Sequence, residues 1–428
     1  MRRLVAALLL AGIGGACGGA ASDKRVVLTF WAFGREGEMV AELTRDFERT
    51  HPNVRVVVQQ IPWRAAHEKL LTAFVGETLP DIAQLGNTWI AEFAALGALT
   101  PLDSLLAQSG ALRAESFFPG IWATNVVDSV VYGIPWYVDT RVLFYRSDLL
   151  ANAGVKTVPR TWDEWRDAMR KVRALSSGAA YAIYLPVNEW TQPVILGLQT
   201  GSRLLADNGT RGAFRDSTFR RAFDFYISIF RDTLAPVLGS SQIANRYQEF
   251  ARGTFAMYIS GPWDLTEFAT RLPAELQTSW ATAPLPGPTA DDPGVSLAGG
   301  SSLVLTAGSR YQREAWELLE FLSEPAQQAK FYRLSGDLPP TTAAWQDSSL
   351  AGNPRAQAFF QQLQHVRPLP TVPEMEQIAI RVQELAEAAI RGVRSKDDAL
   401  TTLDHDVDQM LEKRRWMLDH ATVARGKR

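Results

Sequence analysis

The strongest constraint on this fold is a regular alternation of strand and helix signals that begins at Arg25. Apolar runs rich in β-branched residues at 25–31, 54–61 and 82–85 indicate buried strands. Apolar residues recur at spacings of three and four between them, which predicts helices. Repeated strand–helix units predict an α/β fold built on a parallel sheet, in which ligands bind where loops gather at the carboxyl ends of the strands.

Later segments continue this alternation. A capping box at 161–164 predicts a helix start, and its tryptophans, Trp162 and Trp165, are expected to pack in the core. The segment 285–300 is dense in proline and glycine and reads as a loop. Two helices are expected after Glu374, the second beginning at 395–398, and the acidic run at 404–408 is expected to be a solvated helix face.

Composition excludes several classes of protein. The 428 residues, with 46% hydrophobic and 21% charged side chains, are typical of a packed protein of two to three domains. A net charge of −2 argues against nucleic acid as a partner. One cysteine and five scattered histidines predict no disulfide, no metal site and no cofactor.

The first residues resemble an export signal rather than part of the fold. A charged Arg2-Arg3 precedes a short apolar stretch and small residues, which predicts a signal peptide at 1–16. Cys17 then resembles the lipidated cysteine of a bacterial lipoprotein, with 17–24 as a lipid-anchored tether, although Gly14 departs from that pattern. Cleavage after Ala20, which gives a secreted form, remains the alternative. No later run of about 20 apolar residues follows, so contact with a membrane is expected through the lipid anchor only.

An ordered series of segments carries a family resemblance over nearly all of the mature chain. They are LTFWAFGREGE at 28–38, FERTHPNVRVVVQQIPW at 47–63, KLLTAFVGETLPDIAQLGNTW at 69–89, YGIPWYVDTRVLFYRSDLLANAGV at 132–155, VPRTWDEW at 158–165, FARGTFAMYISGPWD at 250–264, AGGSSLVLTAGS at 298–309 and DDALTTLDHDV at 397–407. The chain resembles the maltose/maltodextrin-type extracellular solute-binding proteins of ABC importers.

The resemblance implies a two-lobed periplasmic-binding-protein fold of type II. Each lobe would be a mixed, mostly parallel sheet flanked by helices, with ligand held in the cleft between the lobes. Both lobes would be discontinuous in sequence. The expected ranges are 25–137 plus 301–337 for the N-lobe, 141–297 plus 342–420 for the C-lobe, and 138–140, 298–300 and 338–341 for the hinge crossovers.

Aromatic side chains are the first candidates for ligand contacts, because sugars present flat, weakly apolar faces. Trp263 lies in the GPW segment of the family resemblance, and Trp190 lies in a segment similar to a sugar-contact segment of the family. The other candidates are at the ends of predicted strands: Trp31, Trp63 and Trp89. For each of them, packing in the core is the alternative.

Polar candidates would bind the hydroxyl groups. Asn87 and Thr88 follow the third strand and offer an amide and a hydroxyl, whereas Gly299, Gly300 and Ser301 would let the backbone approach a ligand. By resemblance, Arg35, Glu36, Asp139, Glu189 and Arg367 match positions of ligand contacts. Asp337 is a contact or a hinge residue, and Arg35 and Arg367 have a surface role as their alternative.

These observations predict a receptor without catalysis of its own that delivers a neutral oligosaccharide or glycoside to a membrane permease. Its partners would be permease subunits with a separate ATPase, and the receptor would be a monomer. Three alternatives remain open. They are an exported glycoside hydrolase with two catalytic carboxylates, a receptor for polyols or glycerol phosphate that uses Arg35 and Arg367, and a surface adhesin or scavenging lipoprotein.

Overall fold

The computed structural model describes residues 25–175 and 181–425, so the predicted signal peptide, Cys17 and the tether lie outside the described residues. Fifteen strands occur in the described part of the chain. They are β1 (Val26–Phe33), β2 (Val54–Ile61), β3 (Ile82–Gly86), β4 (Val126–Val127), β5 (Val130–Val131), β6 (Ile134–Asp139), β7 (Val142–Arg146), β8 (Tyr181–Tyr184), β9 (Leu205–Ala206), β10 (Arg211–Gly212), β11 (Phe255–Ser260), β12 (Trp280–Ala283), β13 (Ser296–Leu297), β14 (Gly299–Leu305) and β15 (Val366–Arg367).

Helices surround these strands, with several short 3-10 turns between them. The α-helices are α1 (Gly34–Thr50), α2 (Trp63–Val75), α3 (Ile90–Ala95), α4 (Asp103–Gln108), α5 (Pro119–Ala123), α6 (Ser147–Asn152), α7 (Trp162–Leu175), α8 (Thr191–Gln199), α9 (Ser217–Arg231), α10 (Arg246–Arg252), α11 (Trp263–Arg271), α12 (Gln312–Ser323), α13 (Pro325–Ser335), α14 (Ser348–Ala351), α15 (Pro354–Leu363), α16 (Met375–Ile390), α17 (Lys396–Met410) and α18 (Glu412–Arg425). None of the helices within residues 25–175 and 181–425 has the length and apolar character needed to span a membrane.

The first lobe is built on a five-stranded sheet in the order β2-β1-β3-β14-β6. Strand β1 is parallel to β2 and β3, whereas β14 is antiparallel to β3 and β6. The parallel part therefore comes from the first strand–helix units, as the periodicity predicts. Strand β14 returns to this sheet from far along the chain, so the lobe is discontinuous in sequence.

The second lobe contains a four-stranded sheet in the order β12-β7-β11-β8. Strand β7 is antiparallel to both neighbours, and β11 is parallel to β8. This sheet is therefore mostly antiparallel, so the expectation of a mostly parallel sheet in each lobe is wrong for the second lobe. Every residue of α8 is buried, which makes it the central helix of this lobe. The hydrophobic core of the second lobe includes Trp162 and Trp165, which are 5% and 1% exposed, so their predicted packing in the core is confirmed.

Strand pairing extends through much of two segments predicted as crossovers. Gly299 pairs with Asp139 and Gly300 with Val138, so β6 and β14 stay in one sheet and the chain changes lobes at positions 140–141 and 298. Gly300 has φ +142°, and a Cβ atom there would lie 2.1 Å from the Tyr137 carbonyl oxygen. These glycines therefore let two crossover strands approach each other, in addition to any contact with a ligand.

The local predictions at two helices have different outcomes. Thr161 Oγ1 accepts a hydrogen bond from Glu164 N at 3.2 Å, as a capping residue does, but the Glu164 carboxylate accepts from Arg160 N rather than from Thr161 N.

The prediction that 404–408 is simply a solvated face is wrong. The Asp404 carboxylate accepts hydrogen bonds from the backbone of a neighbouring segment, at 2.7 Å from Phe214 N and 3.1 Å from Arg215 N.

Candidate ligand-binding cleft

A cavity of about 470 Å³ lies between the two lobes, where the strand ends and the crossovers meet. Its volume lies in the usual range for small-molecule sites. The residues predicted from the sequence that line it are Glu36, Trp63, Asn87, Thr88, Trp89, Asp139, Trp190, Trp263, Gly299, Gly300 and Asp337.

Tryptophans from both lobes form the walls of this cavity. Trp63 and Trp89 come from the first lobe, and their rings lie 5.9 Å apart at 62°. Trp190 and Trp263 come from the second lobe, and Trp263 is 41% exposed, with the Arg141 guanidinium 4.6 Å from its ring. Exposed indole surface on two sides of a cavity suits a ligand with flat, weakly apolar faces.

Glu36 lies on the first-lobe side of the cavity, in the first turn of α1, and is 9% exposed. Its carboxylate accepts a hydrogen bond from the Tyr137 hydroxyl at 2.9 Å and from Trp63 Nε1 at 3.4 Å. The Tyr137 hydroxyl in turn accepts one from Gln84 Nε2 at 3.1 Å. Burial raises the pKa of Glu36, and these donors only partly oppose that effect.

Two further carboxylates lie at the crossovers. Burial, and then the charge of Glu36, raise the pKa of Asp337 to about 7. Burial also raises the pKa of Asp139, although its ion pair with Arg141 opposes the shift. The cleft is therefore rich in hydrogen-bond acceptors.

Among the buried side-chain atoms of the described cavity residues, one lacks a hydrogen-bond partner. Asn87 Nδ2 donates to Thr124 Oγ1, whereas Asn87 Oδ1 is buried and accepts no hydrogen bond within the described structure. A buried acceptor without a donor is costly. A ligand hydroxyl at this position would satisfy it.

Sequence reasoning missed several lining residues, of which Glu376 is the most informative. It lies in the first turn of α16, in the second lobe, and accepts hydrogen bonds from Thr88 Oγ1 and, at 3.1 Å, from Trp89 Nε1 in the first lobe. The only signal in the sequence was an acidic residue near a helix start, which is common. Arg141, Tyr137 and Thr124 were missed in the same way.

Five residues predicted as ligand contacts do not line the cavity. Trp31 packs partly buried against the first-lobe core, with Lys69 Nζ 4.8 Å from its ring. The Arg35 side chain donates to the Leu334 carbonyl at 3.3 Å. The structure thus gives both residues other partners.

The remaining three have neighbouring backbone or side chains as partners. Glu189 accepts hydrogen bonds from the backbone N–H and the hydroxyl of Thr191, at 3.2 and 3.0 Å. The buried Ser301 hydroxyl donates to the Leu85 carbonyl at 2.9 Å. Arg367 donates to the Leu198 carbonyl at 3.0 Å and lines a separate open groove. Across the described residues, no group of three or more His, Cys, Asp or Glu could hold a metal ion.

Comparison with known proteins gives matches over most of the chain. The family model described as bacterial extracellular solute-binding protein matches residues 35–329. The sugar-binding protein MalE from Xanthomonas citri is 45% identical with a TM-score of 0.89, and the match covers 92% of this chain and 99% of that one. The diacetylchitobiose binding protein DasA of Streptomyces coelicolor is 28% identical over 432 residues, which is 96% of this chain and 99% of DasA.

A more distant structure agrees in fold. The GacH receptor of Streptomyces glaucescens is 23% identical, with a TM-score of 0.77 over 91% of this chain and 99% of that one. These similarities confirm the resemblance and the two-lobed α/β fold predicted from the sequence.

Proposed function

Because this chain belongs to the bacterial extracellular solute-binding protein family, we propose that it is the receptor of an ABC importer and captures a carbohydrate between its lobes. The observation that carries this proposal is the cavity itself, which has tryptophans from both lobes and the unpartnered Asn87 Oδ1. Indole faces would stack on sugar rings, while carboxylates and amides would bind hydroxyls. The named binding functions of the MalE and DasA relatives support a carbohydrate as the ligand class.

The two lobes would close on the ligand by rotation about a hinge. The hinge would be the short crossovers, where the chain changes sheet at positions 140–141 and 298. A ligand that contacts both Trp63 and Trp263 makes its full set of contacts only when the lobes are closed, so it would stabilise that state.

The receptor would have no catalytic activity, and a separate ATPase subunit would drive transport through permease subunits. Export follows from the family, and we further propose that Cys17 carries a lipid, that residues 17–24 form the tether and that the protein is a monomer. A glycerol phosphate ligand is disfavoured because carboxylates outnumber cationic groups in the cleft, and because Arg35 and Arg367 lie outside its lining.

A titration of the chain from Ser22 onward, expressed without the lipid anchor, tests this proposal. Sugars, polyols and glycerol phosphate would be added while tryptophan fluorescence and melting temperature are followed, and each ligand would be recovered and analysed by chromatography. We expect a saturable shift with a sugar that is recovered intact. Recovery of cleaved sugar would identify a hydrolase, and a response to glycerol phosphate alone would overturn the choice of ligand class.

A matched pair of variants shows where binding occurs. Trp263→Ala should weaken sugar binding by about tenfold or more, because it removes a stacking surface, with little change in the melting temperature without ligand. Trp162→Ala removes a buried indole outside the cleft lining and should lower stability by ~3–5 kcal/mol. Unfolding of the Trp263→Ala variant would instead assign Trp263 to the core.

A further inference from the structure

We propose that the carbohydrate bound in this cleft carries a protonated amino group, which lies between the carboxylates of Glu36 and Asp337. The inference rests on the proposed function and narrows its substrate class to amino sugars and their glycosides. It follows from the charges in the cavity, from the partners that each charged group already has, and from the burial of the two carboxylates.

Negative groups dominate the cavity. The carboxyl groups among its lining residues are those of Glu36, Asp139, Asp337 and Glu376, and Arg141 supplies the one basic group among these described lining residues. The guanidinium of Arg141 already pairs with Asp139 and lies over the Trp263 ring. It therefore leaves three carboxyl groups without a cationic partner.

Glu376 is satisfied by neutral donors from the opposite lobe, Thr88 Oγ1 and Trp89 Nε1. Glu36 likewise has two neutral donors, Tyr137 and Trp63. In the described part of the chain, neither Glu36 nor Asp337 forms an ion pair. Arg35 acts on both only as a weaker, more distant charge, since it reaches the Leu334 carbonyl instead.

Two such carboxylates near each other in a buried cavity repel one another and lose hydration. Burial and the charge of Glu36 raise the pKa of Asp337 to about 7, so near neutral pH the pair retains a proton for much of the time. The structure thus holds a negative site that is incompletely balanced from within the protein. A cation supplied by the ligand would balance it.

An ammonium group fits this site better than a hydroxyl or a metal ion. It donates up to three hydrogen bonds and neutralises charge, whereas a sugar hydroxyl donates one and leaves the charge unbalanced. Two carboxylates fall short of the oxygen ligands that Ca²⁺ requires. Trp63 donates its Nε1–H to Glu36, so a sugar in contact with this indole has its ring substituents beside the carboxylate.

Isothermal titration of the mature chain with three matched disaccharides tests the inference. The β-1,4-linked glucosamine disaccharide, its di-N-acetylated form and cellobiose differ only in the group at carbon 2. We expect the amine to bind at least about tenfold tighter than either neutral form, because only the amine forms charge-assisted hydrogen bonds with the pair. The Asp337→Asn variant should lose this preference, whereas Asp291→Asn, which removes an exposed carboxylate outside the cavity lining, should keep it.

A second readout requires no variant. Binding of an ammonium group favours the ionised pair. Titrations at about pH 6, where the free amine is already protonated, in two buffers of different ionisation enthalpy should therefore show proton release with the amine and none with cellobiose. If Asp337→Asn fails to fold, Glu36→Gln replaces it. Proton release on binding of the amine to the unmodified protein tests the inference without any variant.

The outcomes separate this inference from the proposed function. Equal affinity for the amine and neutral disaccharides, or binding of neutral sugars such as maltose in preference to the amine, overturns the inference and leaves the carbohydrate receptor in place. Binding of none of these saccharides overturns both.

Discussion

At the scale of single residues, the orientation of Trp263 depends on the glycine two positions before it. A Cβ atom on Gly261 would lie 2.1 Å from the Trp263 ring. The turn at 260–263 is stabilised by Asp264, which is fully buried. Its carboxylate accepts hydrogen bonds from Ser260 Oγ at 2.5 Å and Tyr247 Oη at 2.8 Å. The indole can therefore stand in the cleft only because residue 261 has no side chain.

Gly261→Ala should weaken sugar binding by about tenfold although Trp263 is still present, because the added methyl displaces the indole from its position in the cleft. Titration by tryptophan fluorescence measures the effect. Gly308→Ala is the control, since a Cβ atom there meets no atom within 4 Å. Equal affinities of both variants would contradict the steric argument.

The raised pKa of Asp337 makes stability depend on pH in a defined direction. Its native pKa of about 7 lies above the ordinary value of 3.8, so between these values the native state holds a proton that the unfolded state releases. Glu36 and Asp139 raise this pKa and Arg35 lowers it, and Tyr137 lies beside Glu36. The contribution of Asp337 is therefore most favourable at low pH and is lost as the pH rises through 7.

Denaturant unfolding of the unmodified protein and of Asp337→Asn checks this sign. The variant should gain stability relative to the unmodified protein as pH rises from about 4.5 to about 7.5, by at most ~1.4 kcal/mol per pH unit. Asp291→Asn should show no such trend. A stability difference that is constant with pH would show that Asp337 titrates in its ordinary range.

At the scale of elements, helix α17 shows how tertiary contacts give a role to polar residues. Its start at Ser395, whose side chain accepts from Asp398 N, follows from the local sequence. The role of its acidic face does not follow from the local sequence. Asp404 binds the backbone at Phe214 and Arg215, so α17 fixes the segment that leads into α9.

Asp404→Ala should lower the free energy of unfolding by ~1–3 kcal/mol, because two backbone N–H groups lose their acceptor. His405→Ala is a suitable control, since His405 is exposed and contacts Gln409 on the same helix; it should change stability by less than ~0.5 kcal/mol. Urea unfolding measures both. Similar small effects would restore the solvated-face interpretation.

At the scale of the whole molecule, the two lobes contact each other across the cleft. Glu376 in α16 receives hydrogen bonds from Thr88 and Trp89, so one carboxylate of the second lobe holds a loop of the first. Contacts between the lobes lower the free energy of a closed arrangement relative to an open one.

Glu376→Ala should therefore shift the ligand-free protein towards the open form, and small-angle X-ray scattering should show a larger radius of gyration. Glu384→Ala is the control. It removes a carboxylate of the same helix whose partner, Arg381, also lies in the second lobe, so it should leave the radius of gyration unchanged. An identical radius for all three proteins would show that the Glu376 contact does not control closure.

The sequence alone determined the main strands and helices, because side-chain periodicity and capping residues act over a few positions. It did not indicate strand β13 or the first residues of strand β14, which lie in the predicted loop at 285–300. The strand at 54–61 and the helix start after Ser395 were predicted in this way, and the ordered motifs led to the two-lobed fold. Positions at predicted strand ends indicated Trp63 and Trp89, the family resemblance indicated Trp263, and all three line the cleft.

Only the tertiary structure decided which polar groups meet. Trp31 and Arg35 have suitable chemistry and suitable positions along the chain, yet they face other partners. The local sequence around Glu376 showed only an acidic residue near a helix start, because the contact with Thr88 that gives it a role joins residues 288 positions apart. Contacts at that separation depend on how the two lobes pack together, and no pattern within a few residues of either partner records it.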